Sequence, residues 1–267
     1  KMAIAWGIPF PLAPLLAALV AAVSGVVIGL PALRLRGTNL AIVTLAGGVA
    51  VSEFIFKNPK YVGDASTGGA KVPSPKLGGW DLALVLGTKS SRPVFGIFLV
   101  VIALTMGLMV SSVRRSGMGR RMLAVRSNER AASAAGINIA RVKLQVFMLS
   151  AFIAGIAGCM TAYRFGAVSD ISFGVVASLT ALAVAYLGGI TSVSGAVTSG
   201  IVAASGVAFF TTSEVISAFG TWEVFIGGVL LILTAILNPE GIAGAIRGSI
   251  ADVRIKKLAK VALAAAQ

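Results

Sequence analysis

The sequence predicts an all-α fold, a polytopic transmembrane helical bundle. Three observations carry that class. Hydrophobic residues make up 57% of the 267 and charged residues only 12%, about half the charged share of a soluble domain. Mean hydropathy is +0.95. The apolar residues fall into runs close to the ~20 needed to cross a bilayer as a helix, and 32 glycines are spread through those runs, where small residues let helix backbones approach.

The runs are 11–33, 38–56, 93–113, 143–163, 173–188, 195–212 and 222–238, about seven spans by the length criterion. Pro31 lies near the end of the first run. Pro93 opens the third, where its missing N–H does no harm. The fifth and sixth are separated by Gly188-Gly189, which interrupts a short apolar helix. Beyond it Ser192, Ala196 and Gly200 recur four apart, a small-residue packing stripe. Interrupted helices are tolerated in membranes where they are buried in protein or line a cavity. A packed helix pair with no substrate role explains the same pattern. The apolar sequence opens almost at Lys1, so further spans are expected upstream, or the chain is a processed or fused piece.

Orientation follows from the positive charges in the gaps. The formal charge of +14 is not gathered on a soluble face, which argues against nucleic acid as a partner. Segment 114–142, with Lys143 just beyond it, holds Arg114, Arg115, Arg120, Arg121, Arg126, Arg130 and Arg141 against Glu129. The tail 246–267 holds Arg247, Arg254, Lys256, Lys257 and Lys260. Seven spans place both on one side, the cytoplasmic side by the positive-inside rule, with contact to anionic membrane lipid. The loop 57–92 then lies outside. Rich in Gly, Pro and Ser, it is expected to be an irregular lobe, and its six basic residues are partly offset by Asp64 and Asp81. The whole of 1–267 reads as one transmembrane domain.

Few features support catalysis. There is no Gly-x-x-x-x-Gly-Lys-Ser/Thr run, no zinc spacing, no nucleophile elbow and no histidine. The single Cys159 excludes an intramolecular disulfide. Charges near the membrane, namely Glu53, the Arg164/Asp170 pair, Glu214 and Glu223, fall at span ends and read as interfacial rim residues. An ion-coupled secondary transporter wants charges nearer the midplane, so that reading ranks below a permease. A structural or scaffolding membrane protein ranks third.

Segment 116–138 carries helical periodicity. Met118, Met122, Val125 and Ala132 share one stripe, and Arg120, Arg121, Ser127 and Arg130 lie largely elsewhere. A helix on the membrane surface would bury the stripe and present the basic side, and Ala131, Ala132, Ala134, Ala135 and Gly136 keep one end slim. An ordinary positive-inside loop accounts for the same residues.

These residues resemble a known family. Gly119-Arg120-Arg121, Ala124-Val125-Arg126 and Glu129-x-Ala131-Ala132-x-x-x-Gly136-Ile137-Asn138 are similar to the cytoplasmic coupling loop of bacterial ABC importer permeases, most of all the LivM-type branched-chain amino acid permeases. The stretch Leu35–Ala46, the outer Thr67-Gly68-Gly69, the run Ser178–Gly189 with Gly195-Ala196, and Asn238–Gly244 agree with it. The match departs at Gly47-Gly48-Val49, where the family often carries an acid, and at Ser127-Asn128, where it usually carries two.

The resemblance implies the vitamin B12 importer-like fold and a multi-pass place in the bacterial cytoplasmic (inner) membrane. It implies a transport subunit that is not an enzyme and has no cofactor of its own, since ATP and Mg are bound by partner ATPases. Its partners are a LivH-like second permease, two cytoplasmic ABC ATPase subunits of LivG/LivF type, and an extracytoplasmic solute-binding protein. Gly119, Arg120, Arg121, Arg126, Glu129, Ala131, Ala132 and Gly136 would couple to the ATPases through a helix over 119–136. Branched-chain or related hydrophobic amino acids are the implied substrates. Related permeases serve urea, short amides and other small polar solutes, so these remain alternatives. The substrate path is expected beside Thr44, Gly47, Gly48, Ser178, Thr180, Gly188 and Gly189. There glycines would open room and hydroxyls would bond a passing solute.

Overall fold

The structure, a computed structural model, describes residues 7–33, 38–56, 70–73, 75–77, 80–81, 94–168, 173–190, 192–201, 241 and 243–244. It is mostly helical. In chain order the helices are α1 (Leu12–Ala32), α2 (Thr38–Val51, continued by a π-helical turn at Ser52–Phe56), α3 (Val94–Arg115), α4 (Gly117–Ser127), α5 (Glu129–Ala134), α6 (Ile139–Phe165), α7 (Val175–Gly188) and α8 (Val193–Ile201). Among the described residues α1, α3 and α6 are each long and apolar enough to cross a membrane. The pair Ala177–Gly188 and Val193–Ile201 passes the same test together, bent by 116° at its break. The seventh run, 222–238, and the basic tail lie outside the described residues, as do Asp170, Glu214 and Glu223.

The chain divides into two compact units, Lys1–Val175 and Val176–Gln267. The first is built on α1 against α6. Gly25 and Gly29 of α1 face Phe147 of α6, whereas Ala18 and Ala21 face Gly155, so the two helices run antiparallel. A Cβ on Gly155 would lie 2.8 Å from the Ala21 Cβ and 2.9 Å from the Ala18 Cα. Lipid tails are as apolar as the helix surface, so association rests on this close backbone approach and not on hydrophobic contrast. Phe95 of α3, 1% exposed, joins Phe10, Ala18, Ile156 and Met160 in the core. Phe10 stacks edge-on to Tyr163, with ring centroids 5.3 Å apart.

Hydroxyls within the long helices bond to their own preceding turn. Ser24 donates to the Val20 carbonyl at 3.0 Å, Thr105 to Val101 at 2.8 Å and Thr161 to Ala157 at 2.9 Å. Such internal pairing lets polar residues sit at membrane depth. Glu53 is exposed in the π-helical turn at the end of α2.

Within segment 57–92 the described residues 70–73, 75–77 and 80–81 include short strands. Strand β1 (Ala70–Lys71) pairs antiparallel with β4 (Ala167–Val168), directly after α6, and β2 (Lys76–Leu77) pairs with β3 (Trp80–Asp81). The Val72 N–H continues the first ladder onto the Gly166 carbonyl at 2.8 Å. Gly166, at φ +69°, ends α6 in the left-handed conformation and turns the chain into β4.

Candidate functional site

The basic segment is a folded corner at the end of α3 and the start of α6. Ser116 breaks α3 from α4. Its hydroxyl donates to the Val113 carbonyl at 2.7 Å and accepts from the Gly119 N–H at 3.5 Å, capping α4. Gly119 is buried, and a Cβ there would run into the carbonyl oxygens of Val113 and Arg114. Only glycine lets the first turn of α4 press this closely on the last turn of α3.

The expected single helix over 119–136 is two helices. Asn128, extended at φ −157° and ψ 108°, ends α4 and caps α5, its side-chain oxygen accepting from Arg130 N–H at 3.0 Å and Ala131 N–H at 3.1 Å. An Asn side chain competes well for backbone donors in this way, so the helix stops and restarts. At the other end of α5 the Gly136 N–H donates to Ser133 and the Ile137 N–H to Ala132, both at 3.0 Å, with Gly136 at φ +78°. This is a Schellman closure. Asn138 then caps α6, accepting from the Arg141 N–H at 3.0 Å.

The apolar stripe faces inward, onto the protein itself. Val125, Ala132 and Val142 form a buried cluster, with Met122, Ala124, Ile137 and Ile139 packed around it. Ala132 is therefore a core residue of the corner and not part of a slim exposed end. Glu129 pairs with Lys143 of α6 at 2.8 Å. Arg120, Arg121, Arg126, Arg130 and Ala131 point outward, as does the backbone at Gly136. The eight expected coupling residues thus come together in one corner, where Gly119, Glu129 and Ala132 brace it and the others face solvent. Sequence reasoning missed Leu123. It is 57% exposed and lies beside Arg126 in a shallow concavity that also involves Ala124 and Ser127. A leucine off the apolar stripe, set between arginines, was the available signal.

The expected path residues fall in two places. On α2, Thr44 is half-buried, the missing side chain of Gly47 faces the Ile28 methyl at 3.3 Å, and Gly48 opens onto free space. On α7, in the second unit, Ser178 and Thr180 are exposed. Gly188 and Gly189 are buried, and they do not open room. A Cβ on Gly188 would overlap the Ser199 hydroxyl and lie 2.6 Å from the Gly195 carbonyl oxygen. Gly189, at φ +108°, lies against Gly195 and Gly241. Hydroxyls of α8 close the joint. Thr198 donates to the Gly188 carbonyl at 3.0 Å, and Ser199 to Gly195 at 2.7 Å and Ala185 at 3.3 Å. The buried face of α8 therefore carries Gly195 and Ser199, whereas Ala196 and Gly200 of the expected stripe are exposed. Ser192 caps α8 by accepting from the Gly195 N–H at 3.0 Å. Among the described residues no His, Cys, Asp or Glu group could hold a metal ion.

Comparison with known proteins adds a family. A family model described as "Branched-chain amino acid transport system / permease component" matches residues 1–235. The chain is similar to the high-affinity branched-chain amino acid transport system permease protein LivM of Salmonella typhimurium, 33% identical over 243 residues, covering 85% of this chain and 56% of that protein. It is similar to LivH of the same organism, 33% identical over 147 residues, covering 55% of this chain and 44% of that one. It is also similar to the xylose transport system permease protein XylH of Escherichia coli K12, 34% identical over 143 residues, covering 51% and 35%. The chain spans about half the length of the curated relatives it matches, 56% for LivM. No solved structure matches it.

Proposed function

Because the chain belongs to the branched-chain amino acid transport system permease family, we propose that it is a transmembrane subunit of an ATP-driven importer for branched-chain or related hydrophobic amino acids. In this reading it forms a single permease domain of about seven spans with the vitamin B12 importer-like fold, in the bacterial inner membrane. A second, LivH-like permease completes the path. Two cytoplasmic ATPases bind ATP and Mg, and an extracytoplasmic binding protein delivers the solute.

The observation that carries the reading is the braced corner formed by α4 and α5. It joins the end of one membrane helix to the start of another, its core is closed, and its outward face is basic with Leu123 exposed. A rigid corner of this kind moves with the helices it joins. If ATP favours one arrangement of the ATPases, differential contact at the corner biases one arrangement of the path. Arg120, Arg121, Arg126, Ala131 and Gly136 meet the ATPase, whereas Gly119, Glu129 and Ala132 hold the corner. The path runs beside Thr44, Gly47 and Gly48 and beside Ser178 and Thr180, with Gly188 and Gly189 maintaining the helix break.

Similarity to a xylose permease supports a second reading, in which the solute is another small polar molecule such as a sugar, urea or a short amide. The complete transporter, reconstituted in liposomes, separates the two. ATP-dependent uptake of leucine, isoleucine and valine, with little uptake of xylose, urea or acetamide, is the expected result. Uptake of the polar solutes alone overturns the substrate, and no ATP-dependent uptake of any overturns the transporter.

A further inference from the structure

Between α3 and α6 lies an apolar groove of ≈ 340 Å³. Leu99, Ala103 and Met106 wall it on one side, Ile153, Ala157 and Met160 on the other, and Arg164 stands at its end. The groove exists because α3 meets α6 through large side chains while α6 turns its small residues to α1. Ala103 and Ala157 leave the gap between them.

Its dimensions limit what fits. From Ile153 to Arg164 the α6 wall rises ~16 Å at ~1.5 Å per residue, about half of the ~30 Å hydrocarbon thickness of a bilayer. A groove of that length suits a single hydrocarbon chain lying in one leaflet.

The charge at its end completes the match. Arg164 is exposed in the last turn of α6, its guanidinium 5.5 Å from the centre of the Phe165 ring, and Gly166 ends the helix there. A long cationic side chain in the last turn of an apolar helix reaches toward the membrane interface. This end lies opposite the arginine-rich α4 and α5.

We propose that the groove holds one acyl chain of an anionic phospholipid, with the lipid phosphate on the Arg164 guanidinium. The Thr161 hydroxyl is already used on the Ala157 carbonyl, so Arg164 supplies the headgroup contact. The inference rests on α3 and α6 crossing a membrane and is independent of what solute is carried. Failure of uptake in the assay above leaves it standing.

The test is native mass spectrometry of the complete transporter, purified from nanodiscs of equal phosphatidylglycerol and phosphatidylcholine. The unsubstituted complex is expected to retain one phosphatidylglycerol per chain, preferred about fivefold over phosphatidylcholine. Ala157→Phe fills the groove and is expected to lose that lipid. Arg164→Gln changes an exposed side chain that the fold does not need, and is expected to keep a lipid while losing the preference. Equal retention and equal preference in the unsubstituted complex and Arg164→Gln overturn the proposal even if Ala157→Phe fails to assemble. Cross-linking of an Ala157→Cys variant to the second permease overturns it in favour of a protein occupant.

Discussion

Glu129 and Lys143 form an ion pair of 2.8 Å that ties the first residue of the short helix α5 to the second turn of α6. Both side chains are largely covered, 27% and 15% exposed. The pair therefore fixes the angle of the corner more firmly than an open surface pair would, though its net worth is still only about 1 kcal/mol.

Separating this pair should loosen coupling before it affects folding. Lys143→Met and Glu129→Gln are each expected to lower solute carried per ATP hydrolysed several-fold while the complex still assembles. The exchanged double variant, Glu129→Lys with Lys143→Glu, should recover part of the loss. Paired uptake and phosphate-release measurements decide it, and unchanged ratios in both single variants would remove the pair from the coupling mechanism.

Gly119→Ala should damage the joint between α3 and α4, because the added methyl group meets carbonyl oxygens that cannot withdraw. Overpacking of this kind costs about 1–3 kcal/mol. Gly117→Ala is the control, since its nearest neighbour is the mobile end of Arg120 at 3.9 Å. Thermal unfolding of the purified complex should fall for the first variant and hold for the second.

Two adjacent alanines should behave differently. Ala132→Leu enters the cluster with Val125 and Val142 and is expected to destabilise the corner by about 1–3 kcal/mol. Ala131→Leu lies on the exposed face and should leave stability intact while weakening retention of the ATPases. Thermal unfolding together with co-purified ATPase content separates the two effects. Equal loss of stability in both variants would contradict the placement of Ala131.

Gly188→Ala should prevent α8 from closing on α7, as the methyl group would displace Ser199. Loss of assembled complex is the expected outcome. Gly48→Leu projects into open space and should preserve assembly while blocking uptake if the path passes α2. A Gly48→Leu transporter that assembles and transports at the parental rate would exclude that face of α2 from the path.

The ends of the elements were largely legible in the sequence. The run 11–33 became Leu12–Ala32, and 38–56 became α2 with its π-helical turn. Caps declare themselves locally. Asn128 and Asn138 satisfy N–H groups two or three residues on, and Gly136 supplies the positive φ of a helix end. The basic face of the corner was legible as well, because arginines that face water follow the helical period. The break at Asn128 was missed because Met118, Met122, Val125 and Ala132 keep nearly one stripe across it.

Composition, the lengths of the apolar helices and the capping residues were determined by the sequence itself, since each depends on local chemistry. The tertiary structure decided which glycine faces which neighbour. It set Gly25 and Gly29 against Phe147, Gly155 against Ala18, and Gly188 against Ser199 while Gly200 stands open. It also turned the stripe containing Val125 and Ala132 onto α6. A helix that is apolar all round carries no pattern to mark its packed face. With lipid on the other side there is no hydrophobic contrast to impose one, so the choice falls to close fit between particular backbones.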